Sequence, residues 1–105
     1  MARHWVRCQV AFGEWMAFRA ALKVHNEDAP RVGMPEYRVW VPAMGPFGEA
    51  FLEADYATID EINARISSAR KDAQYEAKLR ALFALTVPGT AADWQLEPAP
   101  GGEPR

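Results

Sequence analysis

Few side chains of this chain are equipped for chemistry. Its 105 residues hold two histidines (His4 and His25), one cysteine (Cys8) and three tyrosines. A histidine can take and give a proton near neutral pH. A cysteine attacks only as a thiolate, which needs positive charge beside it. A buried tyrosine hydroxyl seeks a partner and can offer its proton to a ligand. Spacing narrows these options. The histidines stand far apart, with no His-x-x-x-His, Cys-x-x-Cys or Glu-x-x-His cluster, so no metal site is expected. Gly45-Pro46-Phe47-Gly48 reads as a hairpin turn and not as a glycine-rich loop opening a helix, so no phosphate cradle is expected either. No cofactor is implied.

These residues sit on recognisable elements. His4, Val6, Cys8, Val10 and Phe12 alternate with Trp5, Arg7, Gln9 and Ala11, a strand with one apolar and one mixed face. Cys8 at mid-strand on the apolar face reads as a core residue more readily than as a nucleophile. Trp15, Phe18 and Leu22 follow at helical spacing, and His25 continues their stripe before Pro30 ends the helix. His25 therefore either lines a pocket between helix and sheet, as a general base, or stands partly exposed at a helix end. Arg31–Pro35 reads as a loop.

Glu36–Pro42 alternates again, with Tyr37, Val39 and Val41 on one face and Glu36, Arg38 and Trp40 on the other. Ala43-Met44-Gly45-Pro46 reads as a four-residue hairpin loop and Phe47–Tyr56 as the return strand. That register sets Trp40 opposite Glu49, Arg38 opposite Phe51 and Glu36 opposite Glu53, with Arg38 in reach of both Glu49 and Glu53. Tyr37 and Tyr56 fall on or near the helix-facing side, as core tyrosines or as ligand donors. Thr58-Ile59-Asp60-Glu61 is a capping-box pattern. Behind it runs the stripe Ile59, Ile62, Ile66, Ala69 and Ala73. Asp72 either recaps a second helix carrying Tyr75, Leu79, Leu82 and Phe83 inward, or lies within one kinked helix over 59–87. Trp94 and Leu96 alternate with polar neighbours in a last strand, with Trp94 expected on the helix-facing side.

The order βαββαβ predicts an α+β, ferredoxin-like fold: a four-stranded antiparallel sheet with helices on one face. Trp5, Arg7, Arg38, Trp40, Glu49 and Phe51 then share the open face. An aromatic patch on a face that no helix covers points to an interface, here a homodimer, with the Arg38 charge group fixing its registry.

The run Tyr37-Arg38-Val39-Trp40-Val41-Pro42, then Gly45-Pro46, then an acidic strand ending at Tyr56, resembles the small bacterial NIPSNAP-like proteins. So does Val87-Pro88-Gly89 before the last strand. The resemblance covers roughly residues 3–97. It implies membership of the dimeric α+β barrel superfamily, in which two open sheet faces close an eight-stranded barrel. That superfamily also holds antibiotic-biosynthesis-type monooxygenases, several of them cofactor-independent, and haem-degrading enzymes that use an Asn, a Trp and a His. Asn63, Trp15 and His25 supply those residue types but match no motif, so no role carries over to them.

Composition bounds the rest. At roughly 150 residues per domain, 105 residues make one domain. It spans 1–97, with a Pro- and Gly-rich flexible tail at 98–105. A net charge of −2 argues against charge-driven nucleic-acid binding. The longest uncharged run, Ala81–Ala92, is too short for a bilayer span. The lone cysteine and the absence of a signal-peptide pattern lead us to expect a cytoplasmic protein. Three functional readings follow: a homodimer binding a small molecule between helices and sheet, with His25, Tyr37 and Tyr56 as candidate catalytic residues; a cofactor-independent monooxygenase or isomerase acting on an aromatic or polyketide-like substrate; and a non-catalytic dimerisation module.

Overall fold

A computed structural model describes residues 1–45 and 47–102. Pro46 of the expected hairpin loop and residues 103–105 of the expected tail lie outside the described residues. The elements run β1 (Ala2–Gln9), α1 (Trp15–Asp28), a 3-10 turn (Ala29–Val32), β2 (Arg38–Trp40), β3 (Glu49–Tyr56), α2 (Ile59–Ala69), α3 (Ala73–Phe83) and β4 (Ala92–Leu96). The strands form one antiparallel sheet in the order β2-β3-β1-β4. This is the expected α+β, ferredoxin-like arrangement.

The apolar alternation of β1 does what period two requires. His4, Cys8 and Val10 are buried under the helices, while Trp5 and Arg7 take the open side with Phe51 and Trp94. Phe18 of α1, Ile62 of α2, Leu82 of α3 and Cys8 are the largest fully buried side chains. The Thr58 hydroxyl accepts from the Glu61 N–H at 3.1 Å, and the Glu61 carboxylate reaches back to the Ala57 N–H at 2.9 Å. The α2 cap is therefore reciprocal, one residue wider than the standard box. Asp72 starts α3 by accepting from the Tyr75 N–H at 2.9 Å. There are thus two helices, not one kinked helix.

Five expectations are corrected. Phe12 is 96 % exposed, because β1 stops at Gln9, the backbone pairing ends with the Val10–Thr86 bridge and the Ala11 N–H on the Leu85 carbonyl, and Gly13 then turns the chain. Arg31 and Val32, expected in a loop, belong to the 3-10 turn, which holds Pro30 in its first turn and is closed by Gly33 at φ 77°. Proline suits the first turn of a helix, where its missing N–H costs nothing. Strand β2 is only Arg38–Trp40, so Val41 is exposed.

The hairpin register is displaced by two residues. Arg38 pairs with Glu53, Val39 with Leu52 and Trp40 with Phe51, because the connection is longer than four residues. Its far end is pinned to β1, where the Gly48 carbonyl accepts from the Val10 N–H at 2.9 Å and the Gln9 amide donates to the Phe47 carbonyl at 2.7 Å. Gly48 sits at φ 86°, and a β carbon there would come within 2.5 Å of the Gln9 amide nitrogen. A slip of two leaves every side chain on its expected face and changes only its partner. Glu49 therefore meets Arg7 at 3.3 Å, and Arg38 meets Glu53 at 2.6 Å and Asp55 at 3.3 Å.

Finally, Trp94 lies opposite Trp5 in the ladder and faces the open side, not the helices. Asp93 and Gln95 take the helix side of this edge strand instead, both exposed and with the Asp93 side chain 64 % accessible. Gln95 exchanges two amide hydrogen bonds with Asn63 of α2, at 2.7 and 3.1 Å.

Candidate functional site

A cavity of about 390 Å³ lies between the sheet and the helices. His4 and Val6 of β1, Leu22 and His25 of α1, Tyr75, Leu79 and Phe83 of α3, Asp93 of β4 and Tyr37 all line it. Its volume falls at the lower end of ligand pockets, about 300–1,000 Å³.

His25 projects inward because it extends the buried stripe of α1 and is only 2 % exposed. Its Nδ1 lies 3.1 Å from Asn26 Oδ1 and its Nε2 2.8 Å from the Tyr75 hydroxyl. The Asn26 amide is oriented by the backbone: Oδ1 accepts from the Tyr37 N–H and Nδ2 donates to the Tyr37 carbonyl, both at 2.9 Å. Oδ1 can only accept, so Nδ1 of a neutral His25 carries the proton and Nε2 accepts from Tyr75. Burial holds the imidazole below its ordinary pKa, against the pull of Asn26 and Asp28. Burial likewise pushes the Tyr75 phenol up to about 12.

His4 takes the opposite tautomer. Its Nε2 is 3.1 Å from Asp93 Oδ2 and its Nδ1 2.6 Å from the Tyr37 hydroxyl. A carboxylate accepts only, so Nε2 bears the proton and Nδ1 accepts from Tyr37. The Tyr37 oxygen, its own hydrogen committed to His4, accepts in turn from the Tyr56 hydroxyl at 2.9 Å. Tyr56 also rests 4.0 Å from Met34 Sδ. Burial holds the Tyr37 phenol far above its usual value. Burial raises Tyr56 too.

The result is a chain Asp93–His4–Tyr37 along one wall, with Tyr56 hydrogen-bonded behind Tyr37 and not itself lining the cavity, and a second dyad, His25–Tyr75, on another. The rings of His25 and Tyr37 meet edge to face, with centroids 5.9 Å apart. Chemically, Asp93 orients His4 so that its Nδ1 faces the Tyr37 hydroxyl and is placed to accept a proton from it. No sequence pattern marks Asp93 as functional, and His4 reads there as a strand residue with no metal-ligating partner and too far from Cys8 to activate it. Asp93 is hidden by the expectation that Trp94 points inward, whereas Tyr75 reads as inward but only as core. Cys8 lies buried apart from these groups, and burial pushes its thiol up to about 11, so it stays neutral. Among the described residues, no group of three His, Cys, Asp or Glu side chains could hold a metal ion. No helix there is long and apolar enough to cross a membrane.

The expected interface residues gather on the other side of the sheet. Trp5 packs on Phe51 with centroids 5.2 Å apart and on Trp94 at 6.4 Å, and Arg7 lies over Trp94 at 5.6 Å. Trp40 is 54 % exposed. Glu53 is buried at the centre, taking hydrogen bonds from Arg38 at 2.6 Å and Trp5 Nε1 at 2.9 Å, with Arg3 at 3.4 Å. Burial works to raise its pKa, but these partners hold it below the ordinary value.

The chain matches no protein-family model and no curated protein. It is similar to several solved structures. A NIPSNAP family protein of Agrobacterium tumefaciens shares 16 % identity over 93 % of this chain and 85 % of its own, with a TM-score of 0.73. An uncharacterized NIPSNAP domain protein of Burkholderia xenovorans shares 14 % identity over 94 % of this chain and 95 % of its own, with a TM-score of 0.74. An antibiotic biosynthesis monooxygenase shares 8 % identity over 95 % of this chain and all of its own, with a TM-score of 0.68. The resemblance read from the β2–β3 hairpin thus holds at the level of architecture: this chain has the α+β fold of NIPSNAP and antibiotic-biosynthesis-monooxygenase proteins.

Proposed function

We propose that this protein is a homodimer, joined through its open sheet face, that binds a small organic molecule in the cavity between sheet and helices and moves a proton there. The observation that carries the reading is the Asp93–His4–Tyr37 chain opening onto a cavity of about 390 Å³. Core tyrosines seldom need a carboxylate-backed imidazole behind them. When a ligand hydroxyl or acidic C–H gives its proton to the Tyr37 oxygen, the Tyr37 proton passes to His4 Nδ1. Asp93 then faces an imidazolium, and the reverse transfer returns the proton elsewhere on the ligand. That sequence suffices for an isomerase on an aromatic or polyketide-like substrate. A cofactor-independent monooxygenase would use the same proton abstraction and need O₂ as second substrate. The aromatic open face, with Trp40 and Trp94 exposed around the buried Glu53, supports the dimer. A cytoplasmic location fits the free thiol of Cys8.

The test is a thermal-shift screen of hydroxylated aromatics and their keto forms, with light scattering on the same samples. A binder at 100 times its Kd stabilises by about 2.7 kcal/mol. Tyr37→Phe should abolish turnover or exchange of the ligand's acidic proton while the dimer persists. A panel in which nothing shifts the wild type, on a protein that scatters as a dimer, leaves the dimerisation module as the reading. A monomer at micromolar concentration refutes the interface.

A further inference from the structure

We infer that the mouth of this cavity carries a carboxylate subsite centred on Arg80, so that the molecule taken up is an organic monoanion whose apolar body lies inside. The inference rests on the cavity reading above and adds the ligand's chemical class.

Three charged residues of the α2–α3 region line the cavity: Arg70, Glu76 and Arg80. Arg70 grips Glu76 with two parallel hydrogen bonds, Nε to Oε2 and Nη2 to Oε1, both at 3.0 Å. That fork geometry fixes the carboxylate. Glu76 Oε1 also takes the Nε–H of Arg80 at 3.3 Å. Both Glu76 oxygens are thus occupied, and two guanidiniums meet one carboxylate. The positive surplus falls on Arg80. Its terminal nitrogens meet no acceptor among the described residues, and its side chain is 79 % exposed. Glu76 therefore steadies Arg80 through Nε and leaves its outer fork open, the arrangement that suits a bidentate carboxylate. The other acid of the cavity, Asp93, stands on β4 and spends one oxygen on His4.

The Arg70–Glu76–Arg80 group carries one surplus positive charge, which a monoanion matches at the mouth, while Asp93 keeps its own negative charge on β4 against a neutral His4 and so sets a single negative charge as the limit. A dianionic phosphate would leave a negative charge uncompensated beside Glu76. Inside the mouth the walls turn apolar, with Leu22, Leu79 and Phe83, before the tyrosine hydroxyls. A ligand that satisfies both ends carries a carboxylate outside and a hydrocarbon or aromatic body within.

The experiment compares 2-naphthylacetate with 2-(2-naphthyl)ethanol, of equal apolar body, by calorimetry on the wild type and on Arg80→Gln and Arg80→Lys. The acid should bind about threefold to fivefold more tightly than the alcohol to the wild type, the value of a well-aligned but solvent-screened ion pair. Arg80→Gln should remove that preference and leave the alcohol's affinity unchanged, and Arg80→Lys should retain part of it. Equal binding of acid and alcohol to the wild type, or a preference that survives Arg80→Gln, overturns the subsite and leaves the cavity reading standing. Binding of neither probe overturns both.

Discussion

Tyr37 is the residue on which the site turns, and removing its hydroxyl tests the network directly. Tyr37→Phe keeps the ring and deletes one oxygen. That oxygen serves His4 Nδ1 at 2.6 Å and the Tyr56 hydroxyl at 2.9 Å. Both partners are then stranded in a buried setting, with only Met34 Sδ at 4.0 Å left to Tyr56. A buried polar group left unpaired costs about 1–3 kcal/mol, partly relieved if water enters the cavity. The expected net loss is about 2 kcal/mol, or a melting temperature lowered by about 10 °C for a domain of this size. Urea unfolding of the wild type, Tyr37→Phe, Tyr56→Phe and the double variant completes the cycle. Tyr56→Phe alone should cost less, because Tyr37 keeps its bond to His4. The double variant should fall short of the summed single losses by about 1 kcal/mol, since deleting either oxygen already breaks the shared bond. Additive losses, or a Tyr37→Phe loss below about 0.5 kcal/mol, would refute the chain of hydrogen bonds.

Three further outcomes follow. Burial depresses the His25 pKa in the folded state, so the unfolded chain binds the extra proton first as pH falls. The stability His25 contributes is therefore complete above about 6.5 and is lost as pH drops through the folded-state value; urea midpoints should fall from pH 7 to 5, and His25→Gln should flatten that slope. Phe18→Ala, at a fully buried position stacked on Trp15 at 5.9 Å, should cost about 3–5 kcal/mol by chemical denaturation, and a loss under 1 kcal/mol would place Phe18 outside the core. Removing residues 98–105 should leave the melting temperature unchanged within about 2 °C, since the segment lacks apolar residues to offset its ordering entropy, and a larger drop would mean that it docks.

What the sequence revealed and what it hid divide along a physical line. Period-two and helical patterns report which face of an element is apolar, and they placed Cys8, Phe18, Ile62 and Leu82 in one core. They also brought His25 and Tyr37 to the same side of the sheet. Patterns say little about loop length, so the hairpin came out two residues adrift, and the error left no trace in the face assignment because a slip of two is silent there. The site was harder to see because its members come from distant parts of the chain. His4 and Asp93 are 89 residues apart, and His25 and Tyr75 are 50. No local spacing encodes such pairs; only the strand order that lays β4 beside β1 does.

Strand β4 also ties the site to the open face. Ranking side chains by hydropathy turns Trp94 inward, because Trp is worth more buried than Asp. The fold makes the opposite choice. Turning Trp94 inward would send Asp93 out, leaving the part-buried His4 Nε2–H without its partner, while the exposed Asn63 amide would turn to water. The unmet group costs about 1–3 kcal/mol. Turning it outward leaves Trp94 41 % exposed against Trp5 and Arg7. A tryptophan presents about 250 Å², so about 100 Å² stays wet, at a cost of about 2.5 kcal/mol. The two costs are comparable in a lone protomer. A second sheet laid over the open face would recover the tryptophan's share and leave the Asp93–His4 pair intact. On that reasoning the proposed dimer and the proposed proton relay are not independent: covering Trp94 from outside is what lets β4 spend Asp93 on His4 inside.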